Sequence, residues 1–154
     1  MRRPAFALTL IVVAACARKD EPSPPDTSAM DAGAAAPAID LAALAGTWDL
    51  TVMGAGSDSV LTTGVLTTSA GTTGWTVQLP GRDPVPLTVT VSGDSIITQA
   101  PEYESVLRKG VTVQTSSTYW VVGGNLNGKT KAVYRGAGAD SVVMLRATGT
   151  KRAM

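Results

Sequence analysis

The fold is decided by residues 111–135, which read VTVQTSSTYWVVGGNLNGKTKAVYR. Apolar and polar side chains alternate along much of this stretch, and a glycine-containing break divides it into two halves. A period of two places one set of side chains on each face of a β-strand, and a short glycine-rich break joins two strands into an antiparallel hairpin. The stretch therefore predicts two long paired strands.

The same alternation extends outward from this hairpin over most of the chain after Gly46. Turn-rich breaks such as Ser92-Gly93-Asp94 separate the segments, and Pro101 ends one of them. Period-two segments at short intervals are typical of an antiparallel meander, and eight strands can close into a barrel without exposed edges. We therefore predict an all-β domain, a small antiparallel meander closing into a roughly eight-stranded barrel, with strands over 47–52, 59–68, 74–79, 85–91, 95–99, 111–122, 126–135 and 141–148.

The composition removes most catalytic chemistry from consideration. The 154 residues include no histidine and one cysteine, and 13 basic residues balance 12 acidic ones. These counts exclude a Ser-His-Asp triad, an intrachain disulfide and a zinc site built on histidine and cysteine, and the near-neutral charge argues against nucleic acid as a partner. Glu102 and Glu104 have a spacing that paired carboxylates could use on a glycoside, but Pro101 beside them predicts an exposed loop. We expect no catalytic residues, metal or cofactor, and no enzyme activity.

The first sixteen residues have the organisation of an export signal. Two arginines follow Met1, a short apolar stretch comes next, and Val13-Ala14-Ala15-Cys16 ends it. This ending resembles the lipobox of bacterial lipoproteins, in which leucine is commoner than the valine found here. The resemblance implies a signal peptide over 1–15, acylation of Cys16 and a membrane anchor in the cell envelope, since two or more acyl chains hold a protein stably on a bilayer. In that family an aspartate after the cysteine retains the protein at the inner membrane of diderm bacteria, so Ala17 favours the outer membrane if the host has one.

Residues 16–43 have the composition of a linker. Four prolines, an alanine-rich run and scattered acids leave no sustained apolar period. Such a segment buries too little apolar surface to offset its ordering entropy, so we expect a disordered, flexible linker. The stretch from Ile39 to Leu44 is an exception, predicted to form one helical turn before a barrel domain over 44–154.

The start of the first strand carries a second resemblance. Gly46-Thr47-Trp48 is similar to the Gly-x-Trp motif of lipocalins and the wider calycin group. In lipocalins this tryptophan packs across the barrel floor beside an arginine from the end of the last strand, which makes Trp48, Arg146 and Arg152 the candidates for that arrangement. Ordinary core packing of Trp48 is the alternative.

Residues 123–130 satisfy the P-loop pattern G-x-x-x-x-G-K-[ST]. A phosphate-binding loop needs a helix after it, whereas residues 129–135 alternate as a strand does. We therefore interpret the match as a β-hairpin. Either Gly123-Gly124 or Asn127-Gly128 suits the tight turn, and the two choices give different registers.

Two functional hypotheses follow. One is a non-catalytic barrel that binds a small, apolar ligand; the other is an accessory lipoprotein whose barrel is filled and whose outer face docks an envelope protein or the cell wall. Small inward-facing residues, among them Gly64, Gly128 and Ala132, leave room for a ligand but also occur where strands bend. Lys129, Lys131 and Arg135 share one strand face, which is either solvated or a docking patch for an anionic lipid or glycan.

Overall fold

The computed structural model describes residues 38–136 and 138–153. The expected signal peptide, Cys16 and the linker up to residue 37 lie outside the described residues. The elements begin with helix α1 (Leu41–Leu44), followed by strands β1 (Gly46–Gly54), β2 (Val60–Thr68), β3 (Thr76–Gln78), β4 (Val85–Pro86), β5 (Thr88–Ser92), β6 (Ser95–Gln99), β7 (Tyr103–Glu104), β8 (Thr112–Val122) and β9 (Asn125–Tyr134), a 3-10 turn (Gly138–Ser141) and β10 (Val142–Lys151).

Within the described residues, ten antiparallel strands form one sheet that curls into a nearly closed barrel. Nine of them follow the path β4-β3-β2-β1-β10-β9-β8-β6-β5, and β7 pairs with β8 beside β6. The two ends of the path, β4 and β5, are consecutive in the chain and are separated only by Leu87, whose N–H donates to the carbonyl of Trp75 at 2.9 Å. One bent segment therefore bonds β3 with its first half and β6 with its second, which closes the barrel.

The predicted fold class is confirmed. The segments β4–β5 and β6–β7 are each one bent strand, so the ten strands make eight walls, and each wall overlaps one of the eight predicted segments. Adjacent Tyr119 and Trp120 on β8 point to opposite faces, Tyr119 inward and 6% exposed. The predicted helical turn before the barrel is α1, capped by Asp40, whose side chain accepts from the N–H of Ala42.

The lower end of the barrel, which carries α1, is filled. Trp48, Trp75, Leu66, Ile96 and Leu126 are at most 1% exposed. The indole N–H of Trp48 donates to the carbonyl of Leu44 at 2.9 Å, which ties the last residue of α1 to the first strand. Ile39 and Leu41, assigned to the linker from the sequence, also pack against this core, so the ordered domain begins before residue 44.

The structure decides the turn that the sequence left open. Val122 pairs with Asn125, so Gly123 and Gly124 form the two-residue turn, both with positive φ angles. Gly128 instead lies within β9, directly opposite Tyr119 on β8. A Cβ atom on Gly128 would lie 2.5 Å from the Tyr119 ring, so the absence of a side chain there makes room for that ring.

We expect Gly128→Ala to destabilise the barrel, because the Tyr119 ring is buried and cannot move aside cheaply. Overpacking of this kind costs about 1–3 kcal/mol of unfolding free energy, measurable by urea denaturation. The matched control is Gly56→Ala, since a Cβ at exposed Gly56 meets nothing within 4 Å. Equal stability of the two variants would contradict the proposed contact.

Candidate functional site

The upper part of the barrel interior holds a second buried hydrophobic cluster, formed by Val113, Ala132, Tyr134 and Leu145. A cavity of about 80 Å³ is lined by residues of this cluster, of the lower core and of the loop at 105–111. Inward-facing Val52, Val77 and Leu87 remain partly exposed, which indicates that the cavity reaches solvent. The cavity is smaller than an apolar protein cavity of about 150 Å³ that is known to hold benzene. The interior thus combines a filled floor with a small accessible chamber above it.

One wall of the chamber carries a row of three buried hydroxyl groups, which we call the hydroxyl row: Thr98, Ser117 and Thr130. Thr98 on β6 pairs with Ser117 on β8, and Ser117 pairs with Thr130 on β9, so the three side chains stand side by side across adjacent strands. They are 2%, 7% and 9% exposed, and the Ser117 and Thr130 hydroxyl oxygens lie 2.8 Å apart. The row presents hydrogen-bonding groups to a chamber whose other lining residues are mainly aliphatic.

The wall across the barrel from the hydroxyl row is mainly aliphatic. It consists of side chains from β1, β2 and β3, which lie across from β6, β8 and β9 in the strand order, and Val52, Thr62 and Val77 represent these strands. Leu87 also lines the chamber, but it lies on the segment that pairs with β6 and is therefore beside Thr98. The chamber thus combines a group of buried hydroxyls with a mainly aliphatic lining.

A cover loop, residues 105–111, lies over the upper end. The Ser105 hydroxyl accepts from the backbone N–H groups of Leu107 and Arg108, each at 3.0 Å, and Leu107 lines the chamber. The Glu104 carboxylate accepts from the Gly110 N–H at 3.1 Å and from Arg82 at 2.9 Å. These polar contacts tie the ends of the loop to the barrel rim.

Two phenol groups in the chamber wall are held in the protonated form. Burial raises the pKa of Tyr119, and hydrogen bonding to Ser117 and Thr130 opposes part of that rise. Burial also raises the pKa of Tyr103, again opposed by a hydrogen bond, here to Thr115. At neutral pH both phenols can therefore donate as well as accept hydrogen bonds.

The structure corrects the expected cation at the barrel floor. Trp48 is buried at the lower end, but the cation over its indole ring is Lys151, with its ammonium 5.6 Å from the ring centroid. Lys151 pairs with Trp48 in the β1–β10 ladder and points inward, whereas Arg146 and Arg152 have the opposite parity and point outward. Arg152 bonds the Asp49 carboxylate at 2.9 Å and lowers its pKa, and Arg146 pairs with Asp58.

The remaining sequence candidates are dispersed. Glu102 pairs with Arg135, and Glu104 pairs with Arg82, so each carboxylate of the suggested pair has its own arginine. Lys129 and Lys131 are exposed on the outer face of β9. The segment that satisfies the P-loop pattern forms the β8–β9 hairpin, as interpreted.

Sequence analysis did not single out the hydroxyl row. The available signal was parity: in the alternating run through β8, Ser117 has the same parity as Val113 and Tyr119 and therefore faces inward with them. A polar residue on the apolar face of a strand is informative because buried hydroxyls need partners. The pairing of Ser117 with both Thr98 and Thr130 depends on register, which only the structure provides.

No family model, curated protein or solved structure matches this chain. In residues 38–136 and 138–153, no helix is long and apolar enough to cross a membrane. The same residues contain no group of three or more cysteine or acidic side chains arranged to hold a metal ion.

The buried phenols predict a loss of stability at high pH. The pKa values of Tyr103 and Tyr119 lie above the ordinary value of 10.0 in the folded barrel, so their contribution is complete below pH 10 and is lost as pH rises through the raised values. We expect the unfolding free energy, measured in urea, to fall above pH 10, and to fall less steeply in Tyr119→Phe. Identical pH dependence in the two proteins would contradict this assignment.

Proposed function

We propose that this protein is a lipid-anchored envelope protein whose barrel binds one small, largely apolar ligand in its upper half. The observation that carries the binding proposal is a chamber of about 80 Å³ inside the barrel, lined by residues of both buried hydrophobic clusters. Its lining is aliphatic, tyrosine, serine and threonine, and Val52, Val77 and Leu87 in it are only partly buried. A concave, mainly apolar site with a few convergent polar groups is typical of ligand pockets.

The anchor is the second element of the proposal. It rests on the resemblance of Val13-Ala14-Ala15-Cys16 to a lipobox and on the proline-rich composition of the residues that follow. The described chain enters the barrel at the lower end, where the Ile39 N–H donates to the carbonyl of Gly93. The chamber lies at the opposite end of the barrel from this point of attachment.

An accessory role without a ligand is the second candidate, favoured by apolar side chains exposed near the upper rim. Leu61, Val142 and Met144 are each nearly half exposed. Apolar groups exposed close together can mark a contact with another macromolecule. In this alternative the chamber holds only water, and the outer wall carries the function by docking an envelope protein or the cell wall.

Cys16→Ala tests the anchor. We expect the variant to lose incorporation of labelled fatty acid and to remain unprocessed or soluble, because the acyl chains supply the membrane affinity. The measurement is metabolic labelling of full-length protein followed by membrane fractionation. Normal processing with unchanged membrane partitioning of Cys16→Ala would refute the anchor.

Ala132→Leu tests the ligand site, because Ala132 is buried and lines the chamber. We expect native mass spectrometry of the full-length protein, extracted from its own host in detergent, to show a small bound molecule that the leucine displaces. The control is Ala42→Leu, the same change at an exposed residue of α1. A ligand-free mass for the unsubstituted protein would favour the accessory role, and equal occupancy in both variants would place the molecule elsewhere.

A further inference from the structure

The walls of the chamber define the chemistry of what fits inside. Twenty described residues line it, and their side chains are aliphatic, tyrosine, serine or threonine, with no carboxylate, ammonium or guanidinium among them. An isolated charge moved into such surroundings loses much of its favourable hydration free energy without gaining a compensating partner. The chamber therefore disfavours an ionised ligand.

The hydroxyl row makes the same chamber unsuitable for a purely apolar ligand. Thr98, Ser117 and Thr130 are buried, and each hydroxyl has one donor and two acceptor positions. The Ser117 and Thr130 hydroxyls bond each other at 2.8 Å and both bond the Tyr119 phenol, which occupies part of their capacity and leaves acceptor positions in the row. A ligand that removes water from this wall without replacing its hydrogen bonds forfeits affinity.

We propose that the chamber selects an uncharged amphiphile: a ligand with one neutral hydrogen-bonding head, such as an alcohol or a carbonyl group, on a short apolar body. The inference rests on the proposed function and specifies its ligand class. The head lies against the hydroxyl row, and the apolar body lies against Val52 and Val77 on the opposite wall. The end of the body extends beneath Val106 and Leu107 of the cover loop, since the cavity of about 80 Å³ alone is smaller than the one that holds benzene.

The guanidinium of Arg108 does not contribute a positive charge to the chamber lining. Its guanidinium lies over the Tyr134 ring, 4.3 Å from the centroid, at the edge of the cover loop, and it is not among the residues that line the chamber. The Ser117–Thr130 pair of the hydroxyl row lies on the same β8–β9 ladder as the Val113–Tyr134 pair, four residues further along β8. A carboxylate at the row would therefore not have this cation as its direct partner.

The test compares three probes of similar size: 1-pentanol, pentanoate and benzene. Full-length protein in detergent is titrated with each probe and followed by NMR shifts of labelled threonine and serine. We expect 1-pentanol to bind about fivefold or more tightly than benzene, as one net hydrogen bond provides, and pentanoate to bind weakest. The largest shifts should fall on Thr98, Ser117 and Thr130.

Two substitutions test whether the hydroxyl row causes the preference for 1-pentanol. Thr130→Val keeps the shape of the side chain and removes its hydroxyl. We expect this variant to bind 1-pentanol about fivefold more weakly and to bind benzene with unchanged affinity. The matched control is Thr118→Val, which makes the same change on the outer face of β8 and should alter neither affinity. Thermal melting of both variants confirms that each is folded.

The outcomes separate this inference from the proposed function. Tighter binding of benzene or pentanoate than of 1-pentanol, or an unchanged preference in Thr130→Val, would overturn the neutral-head inference while leaving a ligand-binding barrel. Failure of all three probes to bind, together with a ligand-free native mass, would overturn the binding function itself.

Discussion

The structure depends on the bend at Leu87, where one extended segment changes its hydrogen-bonded partner. Before the bend the segment pairs with β3, and after it the segment pairs with β6, so the two edges of a curled sheet are joined through the chain itself. A flat sheet of this length would present unpaired edges and one exposed apolar face. Closure instead creates an interior into which every second residue of each strand points, and the filled floor, the chamber and the hydroxyl row are subdivisions of that interior.

The two ends of the barrel use this interior differently because of residue size. At the lower end, indole rings and leucines pack next to α1. Around the chamber, threonine, serine and Ala132 occupy inward positions among larger side chains such as Tyr134 and Leu145 and leave a small space between the walls. Interiors packed to normal density have few voids, so an accessible space beside three buried hydroxyls is a specific property of this half of the molecule.

Most of the fold was readable from the sequence because period-two alternation reports directly on strand pairing. The features that could not be predicted from the sequence depend on how the strands pair in the folded protein. Gly123-Gly124 and Asn127-Gly128 suit a tight turn equally well, and the contact of Gly128 with Tyr119 distinguishes them only once the strands are paired. Parity in the last strand could have excluded Arg146 and Arg152 from the barrel floor and indicated Lys151. The hydroxyl row required the register of three strands, two of which are not neighbours in the chain.

The pairing of β1 with β10 has a consequence for the order in which the molecule can be made. Trp48 near the start of the barrel lies opposite Lys151 near its end, so the first strand finds one of its two neighbours only after nearly the whole chain has been synthesised. Contacts between such distant parts of a chain form late and slowly. Until then, β1 and β9 each have a free edge, open to pairing with another chain. A nascent chain that lacks β10 is thus an unclosed sheet, and the ten residues of β10 convert it into a barrel.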